Sequence, residues 1–167
     1  MTITTDRPVD PAIRADVEKF EVQLARYLAG ELEEDAFRVF RLNNGVYGQR
    51  QGGHNQMVRV KLPYGSVTPE QFDMLAHVAD TYSRGWGHLT TRQNVQFHFV
   101  QLERVPEVLW DLASVGLTTR EACGDTVRNV MGCQLAGACP YEALDISPWA
   151  EATFQHFLHH PLAQRLP

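Results

Sequence analysis

Lysine is nearly missing: of fifteen basic residues, only Lys19 and Lys61 are not arginine. Cysteine is scarce, with three in the chain, an odd number that excludes a fully paired disulfide scaffold. No apolar run approaches the roughly 20 residues that a membrane helix needs. The N-terminus, MTITTDRPVDPAIRADVE, lacks a basic start followed by an apolar stretch, so no secretory signal is visible. Together these absences lead us to expect a reduced, cytoplasmic protein with no membrane partner. Acid is missing locally. Residues 37–69 contain no Asp or Glu, but carry Arg38, Arg41, Arg50, Arg59 and Lys61.

What is present fits a packed domain. The chain has 167 residues, 44% apolar and 21% charged, which excludes wholesale disorder. The net charge of -5 comes from residues 1–36, which hold nine acids and four bases; the remainder is neutral. A local positive field in such a chain makes an anion the natural partner. Arginine's planar, permanently charged fork suits a carboxylate, phosphate or oxyanion better than lysine does. Nucleic acid usually requires a basic domain, and the isoelectric point here is about 5.8, so no nucleic-acid partner is expected.

Ile13, Val17, Phe20, Leu24, Tyr27 and Leu28 share one face of an amphipathic helix over 11–29, stopped by Gly30. The acidic run Glu31, Glu33, Glu34, Asp35 reads as a solvated connector. Phe37 to Leu42 suggests a strand, followed by a Gly- and Gln-rich loop to Asn55. Met57 to Leu62 alternates, with Val58, Val60 and Leu62 on one side and Met57, Arg59 and Lys61 on the other. Thr68-Pro69-Glu70-Gln71 has the form of a capping box opening a helix to about Tyr82. If residues 88–100 stay extended throughout, His88, Thr90, Arg92, Asn94, Gln96 and His98 line one face. Pro106 opens a helix that ends at Gly116, and another covers Trp149 to His160. The order fits an α+β layer with helices on one face of a mostly antiparallel sheet. The chain divides into a helical extension and acidic connector (1–36), an α+β unit (37–117) and the start of a second α+β unit (118–167).

Arg59 and Lys61 on one strand, and Arg92, Gln96 and His98 on another, offer several donors to one anion if the strands are neighbours. The plain alternative is a solvated sheet face, but such a face normally mixes in Glu and Lys, and this one does not. His88, His98 and His54 match no zinc spacing. Cys133 and Cys139, six apart, fall short of the four thiolates of an iron–sulfur cluster and read as small buried residues. Asp125 and Arg128 either pair with each other or leave Arg128 for a ligand.

The motifs LTTRQNVQFH (89–98), GDTVRNVMGC (124–133) and GVYGQRQGG (45–53), with MVRVKLP (57–63), occur in an order that resembles the siroheme-dependent sulfite and nitrite reductases. The resemblance covers about residues 37–167. It implies a ferredoxin-like half-domain leading into a siroheme and 4Fe–4S domain, and six-electron reduction of sulfite or nitrite, with ferredoxin as the expected donor. It places Arg59 and Arg128 where the family binds its anion, and Thr90, Arg92, Gln96 and His98 where it contacts siroheme and its carboxylates. Tyr47 and Cys123 fall where some members set a tyrosine and a cysteine side by side. The family's lysine pair follows a Leu-Pro, and this sequence closes on Leu166-Pro167. Its four cluster cysteines lie further on. The chain is therefore expected to be the N-terminal part of such an enzyme, inactive by itself. Two rivals remain. A stand-alone module holding an anion, a tetrapyrrole or a protein partner should bury Val130, Met131 and Leu135. An RNA-binding sheet would want exposed aromatics on its open face.

Overall fold

The computed structural model describes residues 8–163 and residue 166. Helix α1 (Pro11–Leu28) starts where Asp10 accepts hydrogen bonds from the amides of Ala12 and Ile13, at 2.8 and 3.2 Å. Helix α2 (Glu34–Asn43) follows. Strands β1 (Val46–Gly48) and β2 (Asn55–Val60) come next, then helix α3 (Pro69–Tyr82). Strands β3 (His88–Leu89) and β4 (Val95–Gln101) lead to helix α4 (Val105–Ser114), and helix α5 (Ser147–Phe157) lies beyond a long irregular segment.

The strands form one antiparallel sheet in the order β1-β2-β4-β3. Alternation decides its faces. Val58, Val60, Val95 and Phe97 point into a core completed by Phe20 and Leu24 of α1, Phe37 of α2, Met74 and Val78 of α3, and Leu109 and Leu112 of α4. The α+β architecture matches the expectation. Arg59 pairs in register with Gln96, and both point away from this core. Near Gln56 and Val58 the register shifts, where Phe99 takes φ 63°. This bulge reverses the parity of β4, so Val100 and Leu102 face inward after it.

Three expectations about local structure fail. Residues 37–42 are helical, within α2, which runs through the 36/37 junction. Phe37 and Phe40 lie one turn apart, Phe37 stacks on Tyr27 with ring centroids 4.3 Å apart, and Phe40 lies beside Phe20. Six residues with four aliphatic or aromatic positions fit either period, and packing against α1 selected the helix. The acidic run is more than a connector. Glu34 and Asp35 form the first turn of α2, where the helix dipole favours them. Glu34 accepts from the Tyr27 hydroxyl and pairs with Arg41 at 3.5 Å, while Asp35 pairs with Arg38 at 3.2 Å. These acids offset two of the five bases in the acid-free stretch.

The third failure is the continuous strand over 88–100. The chain turns back between Thr90 and Asn94, with Gln93 at φ 57°, and Thr90 N donates to Asn94 O at 2.9 Å. The side chain of buried Asn94 accepts from Leu62 N at 3.0 Å. That bond serves the end of β2 and ties up the Asn94 side-chain oxygen. Beyond α4 the expected helix at 149–160 is Ser147–Phe157. Of the cysteines, Cys123 is buried, Cys139 intermediate and Cys133 exposed, so neither Cys133 nor Cys139 is the small buried residue expected. Among the described residues no helix is long and apolar enough to cross a membrane.

Candidate functional site

The face of the sheet opposite the helices is covered in part by the segment that follows α4. That segment bridges to β2, where Lys61 pairs with Thr118. It then carries Cys123 and Arg128 across the open face. Gly124, at φ 80°, permits the crossing: a Cβ there would collide with Asn43 Oδ1.

Two adjoining hollows result. One, of about 110 Å³, is lined by Arg59, Thr90, Thr91, Arg92, Asn94, Ala122, Arg128 and Asn129, with no acid among them. The other, of about 390 Å³, is lined by Leu42, Tyr47, Met57, Arg59, Cys123, Gly124, Asp125 and Arg128. Arg59 and Arg128 line both. The structure thus brings together six of the eight residues singled out from the sequence. Gln96 touches the same site through Arg59. His98 lies further along β4 and lines neither hollow.

Arg59 is held on two sides. With the Gln96 amide assigned the orientation that Arg59 requires, its oxygen accepts from Arg59 Nε at 2.7 Å and from Nη2. Arg59 Nη1 donates to the carbonyl of Ala122 at 3.1 Å. Guanidinium has five N–H donors, so one remains on each terminal nitrogen for a ligand. Arg128 makes no hydrogen bond or ion pair with protein among the described residues, and in particular does not pair with Asp125. Thr90 is largely occupied by the turn. Its hydroxyl oxygen accepts from the amides of Arg92 and Asn94, at 3.3 and 3.1 Å. Asn129 Nδ2 donates to Arg92 O at 2.9 Å and to Leu62 O, fastening the turn to the covering segment.

His98 is defined by its neighbours. Gln49 Oε1 accepts from Phe99 N at 2.6 Å, which turns Gln49 Nε2 toward His98 Nδ1 at 3.2 Å. Nδ1 is therefore the acceptor, and the ring proton sits on Nε2. Nε2 is buried and has no protein partner among the described residues. Burial pushes the pKa of His98 down, and the charges of His88 and Arg59 push it the same way. The ring lies between Trp86, at 5.4 Å, and His88, at 5.8 Å, both roughly parallel to it.

Cys123 is kept a thiol. Burial raises its pKa, and the nearby Arg59 and Arg128 draw it part of the way back. Tyr47 is 47% exposed and shares the larger hollow with it. Sequence reasoning missed Asn129 and Thr91 in the lining and Gln49 behind His98. The alternation of β4 carries no sign of Gln49, which acts across the sheet from the end of β1.

Residues 47–115 match the model of the nitrite/sulfite reductase ferredoxin-like half domain. The chain belongs to that family. It is 34% identical over 148 residues to an assimilatory ferredoxin-dependent nitrite reductase of Haloferax mediterranei, covering 82% of this chain and 25% of that protein. It is 41% identical over 113 residues to a chloroplastic ferredoxin–nitrite reductase of Spinacia oleracea, covering 66% and 19%. With sulfite reductase (ferredoxin) 1 of Mycolicibacterium paratuberculosis it shares 32% over 139 residues, 74% and 25% of the two chains. The solved structure of the Mycobacterium tuberculosis NirA protein superimposes with a TM-score of 0.72 at 26% identity, covering 93% of this chain and 33% of that one. The chain therefore spans about a fifth to a quarter of the length of these curated relatives and a third of the solved one.

Proposed function

We propose that the half domain, with the segment 118–167 opening a second domain, supplies part of the anion- and siroheme-binding wall of a reductase. The reductase would convert sulfite to sulfide or nitrite to ammonia, six electrons in either case, with ferredoxin as the donor. The observation that carries this reading is the convergence of Arg59 and Arg128, from opposite elements, on adjoining hollows of which the smaller is free of acid. The named activities of the relatives support the same choice.

The donor set fits a tetrapyrrole rich in carboxylates. His98 Nε2–H is a buried donor with no protein acceptor among the described residues, on the face of Gln96 and Arg59. A carboxylate is the acceptor such a group needs. Arg92 and Thr90 add a cation and a hydroxyl from the turn. Siroheme and a coupled 4Fe–4S cluster would supply the electrons when bound. Among the described residues no three His, Cys, Asp or Glu are grouped to hold a metal. The protein's part is electrostatic. Arg59, locked by Gln96 and Ala122, presents two N–H groups in a fixed direction, and Arg128 adds a second fork. Preorganised positive charge offsets the charge of the anion and of oxygen as it leaves, without reorganisation at that moment. The Cys123 thiol and the Tyr47 hydroxyl stand in the same hollow as a pair whose approach or crosslinking is a hypothesis. A tryptic map with Cys123 freely alkylated and Tyr47 unmodified refutes the crosslink.

A stand-alone module is the competing reading. Met131 and Leu135 are 55% and 54% exposed and Val130 is half-buried, which favours a larger assembly over a self-sufficient module. The test is nitrite binding by calorimetry, together with siroheme binding by visible absorbance. Arg128→Gln and Arg59→Gln should each weaken nitrite binding at least tenfold, and His98→Phe should weaken siroheme binding alone. Unchanged nitrite affinity in either arginine variant refutes the anion site.

A further inference from the structure

We propose that Lys61 is a positioning residue for Arg128, holding segment 121–127 against the end of β2 so that Arg128 meets Arg59 at their shared hollows. The proposal deepens the anion-binding reading and rests on it.

Lys61 is 3% exposed. Its Nζ donates to Val127 O at 3.2 Å and to Glu121 O at 3.4 Å, and stands 5.7 Å from the centre of the Phe154 ring. One amine thus bridges the two ends of a segment that has no helix or strand of its own. Between those ends the chain carries Cys123, and at the far end it delivers Arg128. Two positions earlier on β2, on the same face, Arg59 holds Ala122 O of the same segment. Other bonds also hold the segment: Val127 N donates to Ala163 O at 3.3 Å, Leu166 N to Asp125 O at 2.7 Å, His159 N to Glu121 Oε1 at 3.2 Å and Glu121 N to Asn43 O at 2.7 Å, while Thr126 Oγ1 donates within it to Glu121 O and Cys123 O. None of these ties both ends of the segment to one point beside the sheet, as Lys61 does.

Such an amine is costly to bury. Desolvation pushes its pKa down to about 8, against the pull of Glu121 and with the repulsion of Arg120 and Arg128. Lys61 also lines a third hollow, separate from the two that Arg59 and Arg128 share, and Asp10, Glu151 and His159 stand around it from the start of α1, from α5 and from beyond α5. An apolar side chain of similar volume would fill the site without that desolvation. It could not donate to two carbonyls from one point. Those two hydrogen bonds are the feature of lysine that this position uses.

The test compares Lys61→Met, Lys61→Arg and Arg128→Gln in the full chain. The first readout is amide hydrogen exchange of peptides from 121–130, with β4 peptides as the internal control. Lys61→Met should speed exchange in 121–130 about tenfold and leave β4 unchanged. Lys61→Arg, which restores donors to the carbonyls, should return it to within about threefold of wild type. The second readout is nitrite affinity, which Lys61→Met should lower about tenfold without touching any ligand group. Unchanged exchange in 121–130, an equal rise in β4, or Lys61→Arg behaving like Lys61→Met overturns the proposal. So does wild-type nitrite affinity in Lys61→Met when Arg128→Gln has lost it. Wild-type affinity in Arg128→Gln means that the anion reading itself has failed, whatever the exchange shows. If Lys61→Met does not fold, by circular dichroism, Lys61→Gln takes its place in both readouts.

Discussion

Gln49 joins the stability of the sheet to the chemistry of His98, and replacing it separates the two. Its oxygen accepts from the amide of Phe99, at the bulge of β4, and its nitrogen donates to His98 Nδ1. Phe99 is held at φ 63°, a conformation costing a bulky residue roughly 1–2 kcal/mol. Gln49→Leu keeps the volume and removes both bonds. A part-buried amide left without an acceptor costs about 1–3 kcal/mol, and the neutral bond to imidazole adds about 0.5–1.5 kcal/mol. Some apolar burial is regained, so the expected loss is about 2–3 kcal/mol, or roughly 4–12 °C in melting temperature for a chain of this size. Gln49→Glu is the sharper probe. Its carboxylate still accepts from Phe99 but cannot donate to Nδ1, so it should raise the pKa of His98 and move a proton onto Nδ1. Urea unfolding measures the first effect, and long-range proton–nitrogen NMR of the imidazole measures the second. In the wild type the folded pKa of His98 lies below its unfolded value of about 6.5. Its contribution to stability is therefore present above about pH 6.5 and is lost as pH falls through the folded pKa. A loss under about 0.5 kcal/mol in Gln49→Leu, or an unchanged tautomer in Gln49→Glu, refutes this account of the His98 donor.

Three other outcomes test the framework. Asn94→Ala should cost about 2 kcal/mol, because it orphans the buried amide of Leu62, while Asn94→Asp, which keeps an acceptor, should cost less; urea midpoints decide. Gly45→Ala should destabilise by about 2 kcal/mol or more, since φ is 74° and a Cβ would press on the carbonyls of Thr119 and Arg59; a thermal melt near wild type refutes the close approach. His159 bonds Asp16 at 2.7 Å, and that hydrogen bond raises its pKa despite burial. The stability it contributes is full below about pH 6.5 and disappears as pH rises through the folded value. His159→Asn tolerates the φ of 60° and should abolish this dependence, a change of at most about 1 kcal/mol after solvent screening. Equal pH profiles for variant and wild type count against the pair.

Local chemistry made much of the half domain legible. The capping box at Thr68 and Gln71 forms as its residues require, with both reciprocal bonds present. The alternation around Arg59 predicts which side of β2 is buried, because a strand's period of two leaves one choice of face. The resemblance of its motifs to the reductases, rather than local chemistry, set Arg128 beside Arg59 as the two residues that line both hollows.

Other features depended on neighbours distant in sequence. Phe37 to Leu42 fits a strand or a helix until α1 offers Phe20 and Tyr27 for it to pack against. Residues 88–98 read as one polar face, but a single left-handed residue, Gln93, turns the chain and hands Asn94 to the end of β2. The roles of Gln49 and Lys61 were equally hidden, since each acts on residues far along the chain, at 98–99 and at 121–127. By itself the sequence determined residue types and local periods, hence the helix start at Thr68, the buried face of β2 and the arginines suited to an anion. Only the tertiary structure decided which polar groups remain unspent, because the distant amide of Leu62 takes the Asn94 side-chain oxygen and the turn itself takes the Thr90 oxygen, while N–H donors of Arg59 and His98 are left open.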